Sequence, residues 1–166
     1  MLIRIAIRFH NILVSFLPIL TVTEWHIKGN FETNGMTESR FVLDTNVIIF
    51  LTTKGNIIQS ELHDKLNEAT LFISAITEIE LFSKPSMPPE EEKKLRKFIS
   101  DKISVIDLTV EVKKLTIAIR RSEKIKLPDC IVAATAIVQN AVLLTADKEL
   151  LYLNWPGYNV KHPDNC

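Results

Sequence analysis

Short apolar runs alternate with longer helical segments along most of this chain, and this alternation restricts the possible folds more than any other feature. Four runs have the length and composition of buried strands: Arg40–Asp44, Leu71–Ser74, Ile103–Asp107 and Val142–Thr145. A fifth short strand is expected near Tyr158–Val160. Strands that alternate with helices in this way are typical of a parallel sheet covered on both faces. We therefore predict an α/β fold, a three-layer α/β/α sandwich with a central parallel sheet of four to five strands.

The segments between the strands show the spacing of apolar residues that is typical of helices. They are Thr45–Leu51, Ile57–Glu68, Ala75–Ser83, a segment that opens at Pro89, Thr109–Lys124 and Pro128–Gln139. Proline is favourable in the first turn of a helix, where its missing N–H is not needed. The last segment is almost entirely apolar, so we expect that helix to be buried.

The first 35 residues differ from the rest of the chain. They are mostly apolar, but their longest uncharged stretch, Asn11–Thr23, is shorter than the roughly 20 residues of a membrane-spanning helix. A signal peptide is the alternative, although no small-residue cleavage pattern follows. We favour a true start at Met36, with residues 1–35 as an apolar N-terminal extension and residues 36–166 as one domain. A cytoplasmic protein without membrane association is expected.

Four acidic residues accompany the predicted strands at the positions where α/β sheets bind ligands. Asp44 ends the first strand, Asp147 follows the fourth, Asp129 opens the buried helix, and Glu80 lies on the helix after the second strand. Because ligands collect at the carboxyl ends of parallel strands, these acids are expected to meet at one edge of the sheet. Crowded carboxylates repel one another, and a hard cation such as Mg²⁺ or Mn²⁺ resolves that repulsion.

Helix capping is the alternative explanation for each acid taken singly. Asp44 or Asp129 can cap a helix, and Asp147 can cap the turn Lys148–Leu151. Capping does not explain why all of the acids are predicted to lie at the same edge.

Glu80 is the acid with the strongest competing interpretations. Thr77 and Glu80 fit the S/T-x-x-E capping box, which would commit the glutamate to its own helix end. Glu78 is also a candidate ligand. Residues two apart on a helix point about 200° apart, so only one of the two glutamates can face a metal.

Four segments, in this order, resemble the PIN-domain nucleases, and in particular the VapC-type toxins of toxin–antitoxin pairs: LDTNVII, SAITEIELF, LPDCIVAATA and LLTADKEL. The similarity runs from about Phe41 to Leu150. It implies an α/β/α sandwich that cleaves RNA, a cognate antitoxin that covers the acidic site, and a homodimer. It also implies a set of site residues, with Asp44, Glu80, Asp129 and Asp147 as catalytic metal ligands and Asn46 and Thr145 as supporting polar residues.

The activity that this resemblance implies is phosphodiester hydrolysis with one or two Mg²⁺ or Mn²⁺ ions and no covalent nucleophile. RNA affinity would then come from phosphate contacts. Because 20 basic residues balance 20 acidic ones, no global positive field supplies them, and a local basic surface is needed. We favour the group that leads into Asp129, which is Arg120, Arg121, Lys124 and Lys126. The alternatives are the group Lys93, Lys94, Arg96 and Lys97, or a helix face that is merely solvated.

Three other functions are alternatives to a ribonuclease. A haloacid-dehalogenase-type phosphatase needs a second acid two residues after Asp44, where Asn46 stands. A phospho-receiver domain needs a lysine at the end of a late strand, and Val142–Thr145 does not end in one. A catalytically inactive PIN-like module for RNA binding or protein interaction is the main non-enzymatic alternative, and the presence of all four acids argues against it.

Overall fold

The computed structural model describes residues 39–52 and 58–166, which form a three-layer α/β/α sandwich. The predicted start at Met36 and the extension before it lie outside these residues. Five parallel strands make the central sheet, in the order β3-β2-β1-β4-β5. They are β1 (Arg40–Leu43), β2 (Thr70–Ser74), β3 (Ile103–Ile106), β4 (Val142–Leu144) and β5 (Asn159–Lys161). The predicted fold class is confirmed.

The described helices agree with the predicted segments to within about two residues at each end. They are α1 (Thr45–Thr52), α2 (Ile58–Asn67), α3 (Ala75–Phe82), α4 (Pro89–Lys102), α5 (Val110–Ser122), α6 (Leu127–Val138) and α7 (Lys148–Leu151). A short 3₁₀ helix, Pro163–Asn165, ends the chain. The predicted start of α5 at Thr109 differs because Thr109 caps this helix, with its Oγ1 accepting from the Val112 N–H at 3.2 Å.

Side-chain alternation along the strands divides the core into two apolar clusters, one on each face of the sheet. On β1, Phe41 and Leu43 pack in the cluster that also contains Leu81 of α3, whereas Val42 packs in the cluster that contains Val112 of α5 and much of α6. Helices therefore cover both faces. Because β1 and its neighbours are buried on both sides, they read as continuous apolar runs in the sequence.

The order of the strands reverses at β1. The chain builds β2 and β3 on one side of β1 and then crosses to place β4 and β5 on the other. A crevice opens outside the carboxyl ends of the strands at such a switch point, and in open α/β sheets this is where ligands bind. The residues that directly follow β1 and β4 therefore lie where such a sheet binds its ligands.

One buried hydroxyl group on α5 has no partner among the described residues. Thr116 is 5% exposed, and its Oγ1 makes no hydrogen bond. Thr116→Val keeps the shape of the side chain and removes the unsatisfied group, so we expect it to raise the free energy of unfolding by about 1 kcal/mol. Chemical denaturation would measure this change. Thr135→Val is the matched control, because the Thr135 hydroxyl donates to the Ile131 carbonyl at 2.8 Å and its loss should give no gain. Equal effects of the two substitutions would contradict the prediction.

Candidate active site

Asp44 directly follows β1 at the switch point, and its carboxylate is held from several sides. Oδ1 accepts from the Thr45 N–H at 2.7 Å. Oδ2 accepts from Asn46 Nδ2 and from Thr145 Oγ1, both at 2.6 Å. The side chain is only 8% exposed, and burial raises the pKa of the Asp44 carboxyl, with a further increase from Glu80, against the lowering effect of the hydrogen bonds. A buried acid in this state is fixed in orientation and costly to ionise without a nearby cation.

Thr145, directly after β4, joins the two central strand ends. Besides donating to Asp44, its Oγ1 accepts from the Asp147 N–H at 2.9 Å and from Asn46 Nδ2 at 3.3 Å. Asn46 Oδ1 in turn accepts from the Ala146 N–H at 3.0 Å. Asn46 and Thr145, which were predicted as supporting residues, thus bond both to Asp44 and to the loop that carries Asp147.

Asp147 caps α7, as the capping interpretation predicted. Its Oδ1 accepts from the backbone N–H groups of Glu149 at 2.7 Å and Leu150 at 3.4 Å. Both bonds use the same oxygen, so capping and a role at the candidate site are compatible. The cap also fixes the side chain where the loop leaves β4.

Glu80 is not committed to a capping box, so that alternative is wrong. The N-cap of α3 is Ser74, whose Oγ accepts from the Thr77 N–H at 3.1 Å, and Thr77 is buried in the first turn. Glu80 Oε2 instead accepts from Thr45 Oγ1 at 2.6 Å. The structure therefore places Glu80 beside Asp44, whose pKa it raises, and Glu78 two residues earlier makes no such bond in the described residues.

Thr45 is a site residue that the sequence analysis missed. Its N–H bonds to Asp44 and its hydroxyl bonds to Glu80, so a single residue contacts two of the four acids. The available signal was its position between two predicted site residues at the start of a helix. That position, however, does not reveal a partner on another helix.

Asp129 is the third residue of α6, and it is not the cap of that helix, so the capping alternative is wrong here as well. The cap position is Lys126, and no side-chain hydrogen bond caps the helix. Asp129 Oδ2 is buried, with no hydrogen-bond partner among the described residues. Burial and then the charge of Asp147 raise the pKa of Asp129, and Lys126 partly opposes them. A buried carboxylate oxygen without a donor is expensive unless a cation or a proton meets it.

The four predicted acids thus come from four places in the fold: Asp44 follows β1, Asp147 precedes α7, and Glu80 and Asp129 lie on α3 and α6. Their charges act on one another, because Glu80 raises the pKa of Asp44, and Asp147 and Asp44 raise that of Asp129. In the part of the chain that the structure describes, no group of three acidic, histidine or cysteine side chains is arranged closely enough to hold a metal ion as it stands. The donor set nevertheless fits a hard cation, because all of its atoms are carboxylate or hydroxyl oxygens. The unpartnered Asp129 Oδ2 and the raised pKa values of Asp44 and Asp129 point the same way.

The two predicted basic groups differ in ion pairing: within the described residues, two of the four cations of the alternative group are paired, and none of the favoured group is. Arg96 pairs with Glu92 and Lys97 with Asp101, each at 2.7 Å, and the Arg96 guanidinium also lies over the Phe82 ring. The favoured group, at the end of α5 and before α6, is exposed and forms no ion pair within residues 39–52 and 58–166: Arg120, Arg121, Lys124 and Lys126. Lys126 acts electrostatically on Asp129. RNA binding by this group stays a prediction.

Tyr158, before β5, is a second residue that the sequence analysis missed. Its hydroxyl donates to the Leu150 carbonyl at 3.0 Å and so ties the loop before β5 to α7. Burial, followed by the charges of Asp44, Asp147 and Asp129, raises the pKa of the Tyr158 phenol. The phenol thus stays protonated and donates to α7, the helix that Asp147 caps.

Comparison with known proteins places residues 41–155 on the family model of the PIN domain. No curated protein sequence matches the chain. Among solved structures, a chain of VapBC2 from Rickettsia felis bound to a promoter DNA fragment is 24% identical, with a TM-score of 0.63, and the match covers 74% of this chain and 98% of that one. A toxin–antitoxin complex from Klebsiella pneumoniae gives 27% identity, a TM-score of 0.60 and coverage of 74% and 96%. DNA-bound VapBC from Salmonella typhimurium is 23% identical, with a TM-score of 0.60, and the match covers 75% of this chain and 98% of that one.

Among the helices of the described residues, none is both long enough and apolar enough to cross a membrane.

Proposed function

Because this chain belongs to the PIN domain family, we propose that it is a metal-dependent endoribonuclease, the toxin of a toxin–antitoxin pair. The observation that carries the proposal is the buried Oδ2 of Asp129, which has no hydrogen-bond partner in the described part of the chain and is close enough to Asp147 and Asp44 for their charges to raise the pKa of Asp129. A stable fold does not need this arrangement, whereas a cation-dependent hydrolase does.

The proposed site uses Asp44, Glu80, Asp129 and Asp147 to hold one or two Mg²⁺ or Mn²⁺ ions. Such ions, when bound, lower the pKa of an attacking water and neutralise charge on the scissile phosphate and the leaving oxygen. The chain itself supplies orientation. Thr145 and Asn46 fix the Asp44 carboxylate. The Asp147 carboxylate is fixed at the start of α7 by its capping bond to the Glu149 N–H. Polar partners that orient ligating carboxylates are an established way to tune a metal site.

An assay of purified protein on RNA tests this function directly. We expect cleavage with Mg²⁺ or Mn²⁺, none in excess EDTA, and recovery when the cation is restored. Cleavage that persists in EDTA would overturn the metal-dependent mechanism. Tight RNA binding without turnover would favour the inactive binding module instead. The phosphatase alternative loses its basis, because the chain has the PIN fold and Asn46 donates to Asp44.

A protein partner is the second part of the proposal. The similar structures include toxin–antitoxin complexes, and exposed apolar side chains occur on the helices that carry two of the acids, Ile79 on α3 (57% exposed) and Leu127 on α6 (54% exposed). We propose that a cognate antitoxin in the cytoplasm covers the candidate site and these side chains. A homodimer through α5 is also proposed, because Val110 and Ile117 are exposed seven residues apart on one face. Co-purification and light scattering test the two associations.

Thr45→Val tests whether the Thr45 hydroxyl presents Glu80 for the reaction. The substitution removes the 2.6 Å donor to Oε2 and leaves the backbone bond to Asp44 in place. We expect kcat to fall by about 10- to 100-fold, as is typical when a residue that orients a ligand is lost. Thr45→Ser should retain most of the activity, since it keeps the hydroxyl.

Steady-state kinetics would measure the effect of Thr45→Val, with Thr52→Val as the control. Thr52 lies on the same helix, and within the described residues its hydroxyl bonds only to carbonyls of that helix, so its loss should leave kcat unchanged. Equal rates for Thr45→Val and the wild type would show that this hydrogen bond has no catalytic role.

A further inference from the structure

An exposed aromatic ring lies five residues after Asp147. Tyr152 directly follows α7 in a helical conformation and is 84% exposed, more than any other large hydrophobic side chain of the described residues. Neither the proposed metal site nor the basic group before α6 uses it. Large aromatic rings that remain in water on a fixed element are candidates for stacking with a flat ligand.

The backbone that carries this ring is secured on both sides. The Tyr152 N–H donates to the Lys148 carbonyl at 3.1 Å, and the flanking Leu150 and Leu153 are 1% and 8% exposed. Tyr158 and the Asp147 cap hold the same helix through Leu150. The ring therefore stands on a rigid support, and ordering it against a ligand loses little conformational entropy.

A free positive charge lies on the same face as the ring. Lys148 is four residues before Tyr152, the spacing that places two helical side chains next to each other. Lys148 is exposed and forms no ion pair within the described chain. An aromatic ring beside a lysine is the usual means of binding single-stranded nucleic acid, because the ring stacks on a base and the lysine contacts a phosphate.

We propose that Tyr152 stacks on an unpaired base of the RNA substrate while Lys148 contacts an adjoining phosphate, at the helix that Asp147 caps. This assignment rests on the proposed nuclease function and adds to it a contact surface for an unpaired base, formed by Tyr152 and Lys148. Bases inside a duplex are already stacked and cannot use the ring, so the pair selects for unpaired segments.

Binding and turnover of a short RNA separate the contribution of the ring from that of the metal site. Affinity is measured in the Asp129→Asn background, by fluorescence anisotropy, for a fluorescein-labelled 12-nucleotide single strand and for the same strand in a duplex. KM and kcat are measured with the otherwise unaltered protein. Tyr152 and Lys148 are at the surface, so the variants Tyr152→Ala, Tyr152→Phe and Lys148→Ala should fold normally.

For Tyr152→Ala we expect single-strand affinity to fall by about tenfold, KM to rise to match, and kcat to stay unchanged. Tyr152→Phe keeps the ring and should stay within about twofold of the parent. For Lys148→Ala the slope of log affinity against log salt should fall by about 0.7, the value for one phosphate contact on a single strand. Lys102, at the opposite edge of the sheet before β3, is the control, and Lys102→Ala should change nothing.

Two results would overturn the assignment. If Tyr152→Ala binds and cleaves RNA like the parent, the ring does not contact RNA. If single strand and duplex lose affinity equally, the ring contacts the backbone and not a base. A wild-type protein that neither binds nor cleaves RNA would refute the proposed function as well, which distinguishes that failure from the failure of the stacking assignment alone.

Discussion

Replacing Asp129 by asparagine is expected to lower the rate of RNA hydrolysis by about a thousandfold while leaving the metal-free protein at least as stable as the wild type. Activity is lost because the substitution removes a charged oxygen from the proposed cation site. A thousandfold loss corresponds to about 4 kcal/mol of transition-state stabilisation. The preserved stability follows from the raised pKa of Asp129, because ionisation of this buried carboxyl opposes folding at neutral pH. A residue kept for folding would show the opposite pattern.

Initial rates on a fluorescent RNA and thermal melting in EDTA would measure the two effects of Asp129→Asn. Glu149→Gln provides the matched control, since Glu149 is an exposed acid that also acts on Asp129 but is not a proposed ligand. That variant should cleave within a few-fold of the wild type. Full activity in Asp129→Asn would refute the role of Asp129, and a large loss of stability would show that its main role is structural.

Binding of Mn²⁺ or Mg²⁺ should raise the melting temperature at neutral pH. A ligand that binds only the folded state, at a hundredfold its Kd, stabilises a protein by about 2.7 kcal/mol, which for a domain of this size raises Tm by about 8 °C. Ca²⁺, which also prefers oxygen ligands, should stabilise to some extent. Calorimetry or melting at increasing cation concentrations would measure the shift.

The pH dependence of this stabilisation follows from the raised pKa values of Asp44 and Asp129. In the metal-free protein both carboxyls hold a proton more tightly when folded, so their contribution to stability is full below the unfolded-state pKa and is lost as pH rises through the folded-state pKa. Acidification toward pH 5 should therefore raise the free energy of unfolding of the metal-free protein. It should also weaken cation binding, because protons compete for the same oxygens.

The double variant Asp44→Asn/Asp129→Asn isolates these two effects. We expect its melting temperature to be insensitive to Mn²⁺ and its stability to change less between pH 7 and pH 5 than that of the wild type. An unaltered cation response in this variant would place the binding site elsewhere on the chain. Equal pH profiles for the two proteins would show that the two carboxyls do not titrate as proposed.

The elements of the fold could be predicted closely because their signals are local. The apolar run before Asp44 becomes β1, the apolar stretch after Asp129 becomes α6, and a proline does open α4. Each of these signals depends on the burial or backbone conformation of neighbouring residues, which a short window of sequence contains. The position of Asp44 and Asp147 after adjacent parallel strands follows from the same reasoning.

Capping could not be assigned from the sequence with the same success. Of the caps considered, the one by Asp147 is present, but the one by Asp129 is absent, and Ser74 takes the place proposed for Thr77. Several polar residues near a helix start satisfy the same pattern, and the packing of the helix decides which of them turns toward the free N–H groups. Thr77 is drawn inward instead and bonds to the Ser74 hydroxyl.

The positions of the four acids, and the strands and helices that they follow or lie on, could be predicted from the sequence alone. Their partners were decided by the tertiary structure. Thr145 reaches Asp44 across 101 residues, and Thr45 reaches Glu80 across 35. Such bonds depend on which strands pair and how helices pack, and local preferences of the chain do not contain that information. The same long-range packing leaves Asp129 Oδ2 buried with no donor among residues 39–52 and 58–166, and on that atom the proposed cation site chiefly depends.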